Sequence, residues 1–220
     1  MNSILPHIVL DRGSAPVHSI IWLHGLGADG SDFIEVAEMI NLPVAMRYIF
    51  PHAPKKPVTI NGGFIMPAWY DIAELDIAAK QDAAGIHASQ LEIEKFIAHE
   101  ISRGISAENI FLAGFSQGGA VALHTGLRHS SKLAGIIALS TYLPLTDTLS
   151  NEISLSASKT PIFFGHGKHD SVVPYELGKQ SADKLKQLGI QIEWHEYAMQ
   201  HSVNADEISD IERWISSKLF

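Results

Sequence analysis

The chain has 220 residues, of which 46% are hydrophobic and 18% are charged, and its formal net charge is −8 at pH 7. This length and composition predict one folded domain over residues 1–220 and exclude a disordered chain. The acidic balance, with Lys55-Lys56 as the longest basic run, argues against a nucleic-acid partner. The absence of cysteine excludes disulfides, thiolate metal sites and a cysteine nucleophile.

The beginning of the chain, MNSILPHIVLDRGSAP, has no basic stretch ahead of an apolar core and is unlike a secretory signal. No apolar run reaches the roughly 18 residues that a membrane-spanning helix needs. We therefore expect a cytoplasmic protein without stable membrane insertion. The sequence leaves the oligomeric state open, and a homodimer is one alternative.

Six short apolar runs alternate with helical patterns along the chain. The first five lack strict polar alternation and are rich in Ile, Leu and Phe, which predicts parallel strands that are buried on both faces. The sixth alternates, which predicts a strand nearer the edge of the sheet. In chain order the runs are SIIWLH, RYIFP, IFLAGF, GIIALS, PIFFGH and IQIEWHEY, which end at His24, Pro51, Phe115, Ser140, His166 and Tyr197.

Helical patterns fill the intervals between these runs. Strands that alternate with helices predict an α/β protein whose mostly parallel, doubly wound sheet carries helices on both faces. The segment from about residue 51 to 76 fits neither pattern, and its Pro and Gly content predicts a long irregular loop with a functional role. The helical patterns start at Ser31, run from about Ala79 to Arg103, follow Ser116, follow Pro174, and follow the N-cap candidate Asn204.

The stretch FLAGFSQGGAVALHTG, which begins at Phe111, places one serine between glycines directly after an apolar run. GFSQG matches GxSxG, and a strand before it with a helix after it is the setting of a nucleophile elbow. Flanking glycines let Ser116 hold a strained backbone and project its hydroxyl group. The alternative is a tight strand-to-helix turn in which the serine is only an N-cap.

A serine hydroxyl becomes a good nucleophile when a base removes its proton and a carboxylate orients that base. Asp170 follows the strand PIFFGH, and His201 follows the last strand, in the chain order serine, acid, histidine that α/β-hydrolases use. Because the carboxyl ends of parallel strands face one crevice, we expect the three side chains to converge there.

Other histidines fit this role less well. His195 lies inside the alternating strand, and His166 and His169 precede the acid instead of following it. His166, His169 and Asp170 together suggest a metal site, but three ligands within five residues of one turn lack a clear fourth partner. The sequence therefore predicts no metal.

Attack on a carbonyl also requires N–H donors for the oxyanion that forms. One donor is expected from Gln117, the residue after the nucleophile, and the other from the loop LHGLGADG, with Leu26 as the candidate. A phosphate-binding role for this glycine-rich loop is the weaker alternative, because the chain has neither a GxGxxG fingerprint nor a Walker lysine.

Together these segments resemble the acyl-protein thioesterase, lysophospholipase and carboxylesterase family of α/β-hydrolases. LHGLGADG resembles the oxyanion segment of that family, RYIFPHAPKKPVTINGGFIMPAWYDI its long loop, GFSQGGA its elbow, HGKHDSVVP its acid turn and MQHS its histidine turn. The resemblance covers nearly the whole chain, and the pattern HAP…VT…N…MP.W.D is its most distinctive part. It implies an α/β-hydrolase fold without a large cap domain.

The resemblance also implies functional roles. The implied activity is hydrolysis of carboxylic ester or thioester bonds through an acyl-enzyme, without a cofactor. The implied partner is a small acyl ester, a thioester, a lysophospholipid or an acylated protein. The implied residues are Ser116 as nucleophile, Asp170 as acid, His201 as base, Leu26 and Gln117 as oxyanion donors, and Ile65, Met66, Trp69 and Val172 as walls of an acyl groove.

Two other functions stay open on sequence grounds. One is a non-catalytic module of the same fold that binds a lipid or a partner, which the presence of all three triad residues disfavours. The other is a peptidase, which the absence of a recognisable cap or propeller disfavours.

Overall fold

The computed structural model describes residues 4–74 and 81–219, and their strands and helices alternate for most of the chain. The strands are β1 (His7–Arg12), β2 (His18–Leu23), β3 (Met46–Pro51), β4 (Lys55–Val58), β5 (Phe64–Pro67), β6 (Ile110–Phe115), β7 (Gly135–Leu139), β8 (Ile162–Gly167) and β9 (Ile192–Tyr197). The helices are α1 (Ile34–Met39), α2 (Ala83–Ser102), α3 (Gln117–Arg128), α4 (Thr146–Glu152), α5 (Tyr175–Gln187) and α6 (Ala205–Ser216).

Seven of the strands form one sheet in the order β1-β3-β2-β6-β7-β8-β9. β1 runs antiparallel to β3, and the other neighbouring pairs are parallel. All six predicted strands are in this sheet, and β9 lies at its edge as the alternating pattern predicts. β1 was not predicted.

Helices cover both faces of the sheet. Ile20 and Trp22 of β2 pack in the cluster that contains the apolar residues of α1 and α6. Ile21 and Leu23 of the same strand pack in the cluster that contains α2, α3, α4 and α5. Successive side chains of a strand point to opposite faces, so this division explains why the central strands are apolar throughout. The predicted α/β class is confirmed.

The segment that was predicted to be an irregular loop contains a β-hairpin, which corrects that prediction. β4 pairs with β5 in antiparallel register, and a 3-10 turn over Thr59–Asn61 leads into the tip. Gly62 and Gly63 have φ values of 66° and 80°, a left-handed conformation that glycine adopts without a Cβ clash. Pro and Gly content therefore marks a turn between short strands here, and residues 75–76 lie outside the described residues.

The helix boundaries differ from the predictions at two places. The helix expected from Ser31 starts as a 3-10 turn over Gly30–Phe33 and becomes α-helical at Ile34. The long helix begins at Ala83, where Asp82 accepts a hydrogen bond from Gly85 N, and the expected start at Ala79 lies outside the described residues.

None of the helices in the part of the chain that the structure describes is both long and apolar enough to traverse a bilayer.

Candidate active site

Ser116 forms the sharp turn between β6 and α3. Its backbone has φ 54° and ψ −121°, a region that residues with a side chain rarely adopt. Two hydrogen bonds hold the turn, since Ser116 N donates to Leu139 O at 2.9 Å and Thr141 Oγ1 donates to Ser116 O at 2.7 Å. The predicted strained turn is therefore confirmed.

Glycines surround the turn because neighbouring backbone passes very close to it. A Cβ atom on Gly118 would collide with the carbonyl oxygens of Leu23 and His24, where the chain leaves β2. A Cβ atom on Gly114 would lie 2.6 Å from Gly119 N. The glycines of GFSQGG thus allow the turn to press against the end of β2.

Asp170 and His201 meet beyond the ends of β8 and β9. His201 Nδ1 lies 2.7 Å from Asp170 Oδ2, and the other carboxylate oxygen accepts hydrogen bonds from Val172 N and Val173 N, each at 2.9 Å. The Asp170 side chain is fully buried, whereas that of His201 is 16% exposed. Burial opposes ionisation of Asp170, but these hydrogen bonds outweigh it and hold the pKa of Asp170 below its ordinary value.

The His201 ring packs beside the elbow. Its centroid lies 4.7 Å from that of Phe115, the residue that precedes Ser116. Within residues 4–74 and 81–219, the Ser116 hydroxyl makes no hydrogen bond to His201, so Asp170–His201 is the bonded pair of this trio. The Asp170–His201 pair therefore lies beside the residue that precedes Ser116.

The two predicted oxyanion donors lie in the same cavity wall as Ser116. Gly27 N, next to Leu26, donates to Pro67 O at 2.9 Å, and Ala28 N donates to Gly25 O at 3.3 Å. The N–H groups of Leu26 and Gln117, by contrast, have no acceptor among the described residues. Two residues with unengaged amides thus line the cavity that contains the serine.

The side chain of Gln117 has a role that the sequence did not reveal. It is 2% exposed, its Oε1 accepts a hydrogen bond from Trp69 N at 2.9 Å, and its Nε2 donates to Tyr70 O at 2.7 Å. Trp69 Nε1 in turn donates to His24 O at 2.9 Å. These bonds fasten the segment after the hairpin to the elbow, and no local sequence signal pairs residue 117 with residues 69 and 70.

A cavity of about 510 Å³ opens in front of Ser116. Of the four side chains implied for an acyl groove, Val172 lines this cavity and Trp69 is fully buried outside its wall. Ile65 and Met66 lie on β5, also outside the wall that the described residues form, and Ile65 is 63% exposed. Besides Leu26, Ser116 and Gln117, the wall includes Ile60, Tyr70, Ile72, Tyr142, Val172 and Val173.

A pair of buried tyrosines closes one side of the cavity. The hydroxyl oxygens of Tyr70 and Tyr142 lie 2.7 Å apart, and the two residues are 1% and 3% exposed. Burial raises the pKa of Tyr142 to about 12 and raises that of Tyr70 as well, so both phenols stay neutral at physiological pH. Neither residue was predicted to belong to the site.

Two other buried titratable groups lie near these strand ends. His166 Nε2 donates to Val173 O at 2.9 Å, and burial lowers the pKa of His166. Glu207 of α6 has no exposed surface, and neither of its carboxyl oxygens has a hydrogen-bond partner among the described residues. Burial raises the pKa of Glu207 to about 8. Gly165 of β8 lies against it, because a Cβ atom there would collide with Glu207 Oε1.

The sheet order, the strained serine turn at the end of β6 and the acid and histidine turns after β8 and β9 define an α/β-hydrolase without a large cap. The model of the phospholipase/carboxylesterase family matches residues 7–219. The chain belongs to that family, and it is an enzyme that hydrolyses ester or thioester bonds.

Individual relatives agree with this assignment. The acyl-protein thioesterase 1 of Yarrowia lipolytica is 37% identical over 221 residues, which cover 97% of each chain. The crystal structure of Arabidopsis thaliana SOBER1 superposes with a TM-score of 0.88 at 32% identity and covers 92% of this chain and 99% of that one. The structure of Zea mays acyl-protein thioesterase 2 gives a TM-score of 0.86 at 29% identity, with 98% and 100% covered.

Proposed function

We propose that the chain is a serine hydrolase in which Ser116 attacks the acyl carbon, His201 is the general base and Asp170 orients that base. The observation that carries the proposal is the 2.7 Å hydrogen bond from His201 to a fully buried carboxylate, beside a serine held in a strained turn. A buried carboxylate is costly unless it is hydrogen-bonded, and one that is bonded to a histidine ring can stabilise the imidazolium that forms during turnover.

The geometry of His201 supports its role as base. Because Nδ1 lies against the ionised Asp170, that nitrogen carries the proton, and the lone pair is on Nε2. Nε2 is therefore the atom that accepts the serine proton. The Ser116–His201 hydrogen bond would form when substrate displaces water, since such contacts are commonly loose in unliganded enzymes.

The oxyanion would bind to the N–H groups of Leu26 and Gln117. Both amides are without an acceptor in the described part of the chain and both residues line the cavity that contains Ser116. Donors that are fixed before the reaction stabilise the negative charge without reorganisation, and the loss of one such donor typically costs a factor of about 100 to 1,000 in kcat.

Hydrolysis would proceed in two acyl-transfer steps. First, Ser116 Oγ bonds to the acyl carbon while its proton passes to His201, which then protonates the leaving alcohol or thiol as the C–O or C–S bond breaks. Second, water gives a proton to His201 and attacks the acyl-enzyme, and the proton returns to Ser116 Oγ as the acid leaves. In both steps the groups that transfer protons and bind the oxyanion are side chains and amides of this chain.

An apolar acyl group suits the cavity, because Ile60, Ile72, Val172 and Val173 line it beside Ser116. We propose esters, thioesters and lysophospholipids as substrates, and acylated proteins as well, since the Yarrowia and maize relatives carry the name acyl-protein thioesterase. Val172 is 59% exposed at the cavity wall, so a large protein leaving group can remain outside.

Replacement of the nucleophile tests the proposal. Ser116→Ala should lower p-nitrophenyl ester turnover by a factor on the order of a million and abolish labelling by a fluorophosphonate probe. Ser209→Ala removes an exposed hydroxyl from α6 and should keep both signals. A folded Ser116→Ala protein with near-normal turnover would exclude Ser116 as nucleophile, and a wild type that takes up no probe would favour the non-catalytic alternative. Matched oxygen and sulfur esters then give the leaving-group preference.

A further inference from the structure

A second cavity shares a lining residue with the one that contains Ser116. Its volume is about 560 Å³, close to the 510 Å³ of the first. Among the described residues, Tyr142 is the one that lines both cavities. The second cavity runs along α5. Its apolar lining residues besides Tyr142 are Leu143 and Leu177, and its polar ones are Gln81, Thr146, Gln180, Ser181, Asp183, Lys184 and Gln187.

The backbone on each side of Tyr142 is fixed. Thr141 donates its hydroxyl proton to Ser116 O at 2.7 Å, which ties this segment to the elbow. Leu143 N donates to Ser181 Oγ of α5 at 2.9 Å, which ties it to the opposite wall. The ring between these anchors has its hydroxyl 2.7 Å from that of Tyr70. Hydrogen bonds therefore join the segment around Tyr142 to the elbow, to α5 and to Tyr70.

We propose that Tyr142 is the end wall of the acyl cavity and sets the longest acyl chain that the enzyme accepts efficiently. The inference rests on the proposed function, in which the acyl carbon lies at Ser116 and the chain extends into the first cavity. A chain that is longer than this cavity meets the ring of Tyr142, which is packed in place at 3% exposure, and it must leave its last methylenes in water.

Removal of the ring would join the two cavities. The terminal methylenes would then lie beside Leu143 and Leu177, the two leucines that line the second cavity. Each methylene that becomes buried favours binding by about fourfold, so two to three methylenes amount to roughly 15- to 60-fold in kcat/KM for long chains. Short chains end before Tyr142 and gain nothing.

The test is a series of p-nitrophenyl esters from butanoate to dodecanoate on three proteins. For Tyr142→Ala we expect the ratio of kcat/KM for dodecanoate to that for butanoate to rise at least tenfold over the wild type. Tyr142→Phe keeps the ring and loses only the hydroxyl, so its chain-length limit should stay at the wild-type position. A profile that shifts equally in Tyr142→Phe would overturn the steric role of the ring.

Two further variants keep the result decisive if the alanine variant does not fold. Tyr142→Leu retains an apolar side chain but stops short of Tyr70, and it should extend the profile in the same direction. Adding Leu177→Trp to it fills the second cavity and should restore the short limit. Fluorophosphonate labelling checks each variant independently of chain length. Unchanged profiles in variants that still label would refute this inference and leave the role of Ser116 intact, whereas labelling that survives Ser116→Ala would refute the proposed function instead.

Discussion

Glu207→Gln is expected to make the protein more stable, by an amount that grows with pH. The Glu207 carboxyl group is fully buried without a hydrogen-bond partner in the described residues, and burial raises its pKa from 4.5 to about 8. Between these values the folded chain keeps the proton and the unfolded chain loses it. The unfolded state then binds fewer protons, so the free energy of unfolding falls as pH rises, at about 1.4 kcal/mol per pH unit.

The size of the effect follows from that pKa shift. The stability linked to the Glu207 proton is fully present below pH 4.5 and has been lost once the pH exceeds about 8. At pH 7 the loss amounts to roughly 3 kcal/mol, and above pH 8 to roughly 5 kcal/mol. Glutamine has nearly the same shape and does not ionise, so this loss should disappear in the variant.

Urea unfolding at several pH values measures the difference. The free energy of unfolding of Glu207→Gln minus that of the wild type should increase by roughly 3 kcal/mol from pH 4.5 to pH 7. Glu176→Gln, at an exposed position of α5, provides the control for the loss of one negative charge. Parallel stability curves for the wild type and Glu207→Gln across this range would refute the argument from burial.

Two further predictions concern the site. Asp170→Asn should lower kcat for ester hydrolysis by a factor on the order of 10⁴ with little change in the melting temperature, because the amide no longer stabilises the imidazolium of His201; a loss of less than tenfold would argue against that pairing. Gln117→Ala should destabilise the fold by roughly 2–5 kcal/mol in thermal or urea unfolding, because Trp69 N and Tyr70 O lose their buried partner. An unchanged melting temperature would show that these two backbone groups find other partners.

The sequence predicts the central strands well because burial on both faces makes them continuously apolar. β2, β6, β7 and β8 are such strands. β1 escapes prediction because it is an edge strand whose residues are partly exposed, and its antiparallel pairing with β3 is a long-range contact. The hairpin is not predicted for another reason. Its short strands contain Lys and Pro, and their pairing depends on the glycine turn between them.

The residues of the candidate site also divide into those that the sequence predicts and those that it does not. Ser116, Asp170 and His201 are visible in the sequence because each follows a recognisable strand, and sheet topology brings those strand ends together. Tyr142 and the side chain of Gln117 are not visible, because their roles depend on which residues of a distant segment come to lie opposite them. Trp69 shows the opposite error. An aromatic residue in a functional loop suggests a substrate contact, but Trp69 is fully buried.

The side chain of Gln117 links the start of α3 to the segment after the hairpin, and this link restricts which loops can be exchanged. Any loop that is transplanted into the region after β3 must present an amide hydrogen at position 69 and a carbonyl at position 70, or the residue that begins α3 loses its support. Libraries that vary Phe64 and Ile65, which are exposed at the start of β5 next to the tip, leave these hydrogen bonds in place. Substitutions are therefore easier to accommodate near the tip of the hairpin than at its base.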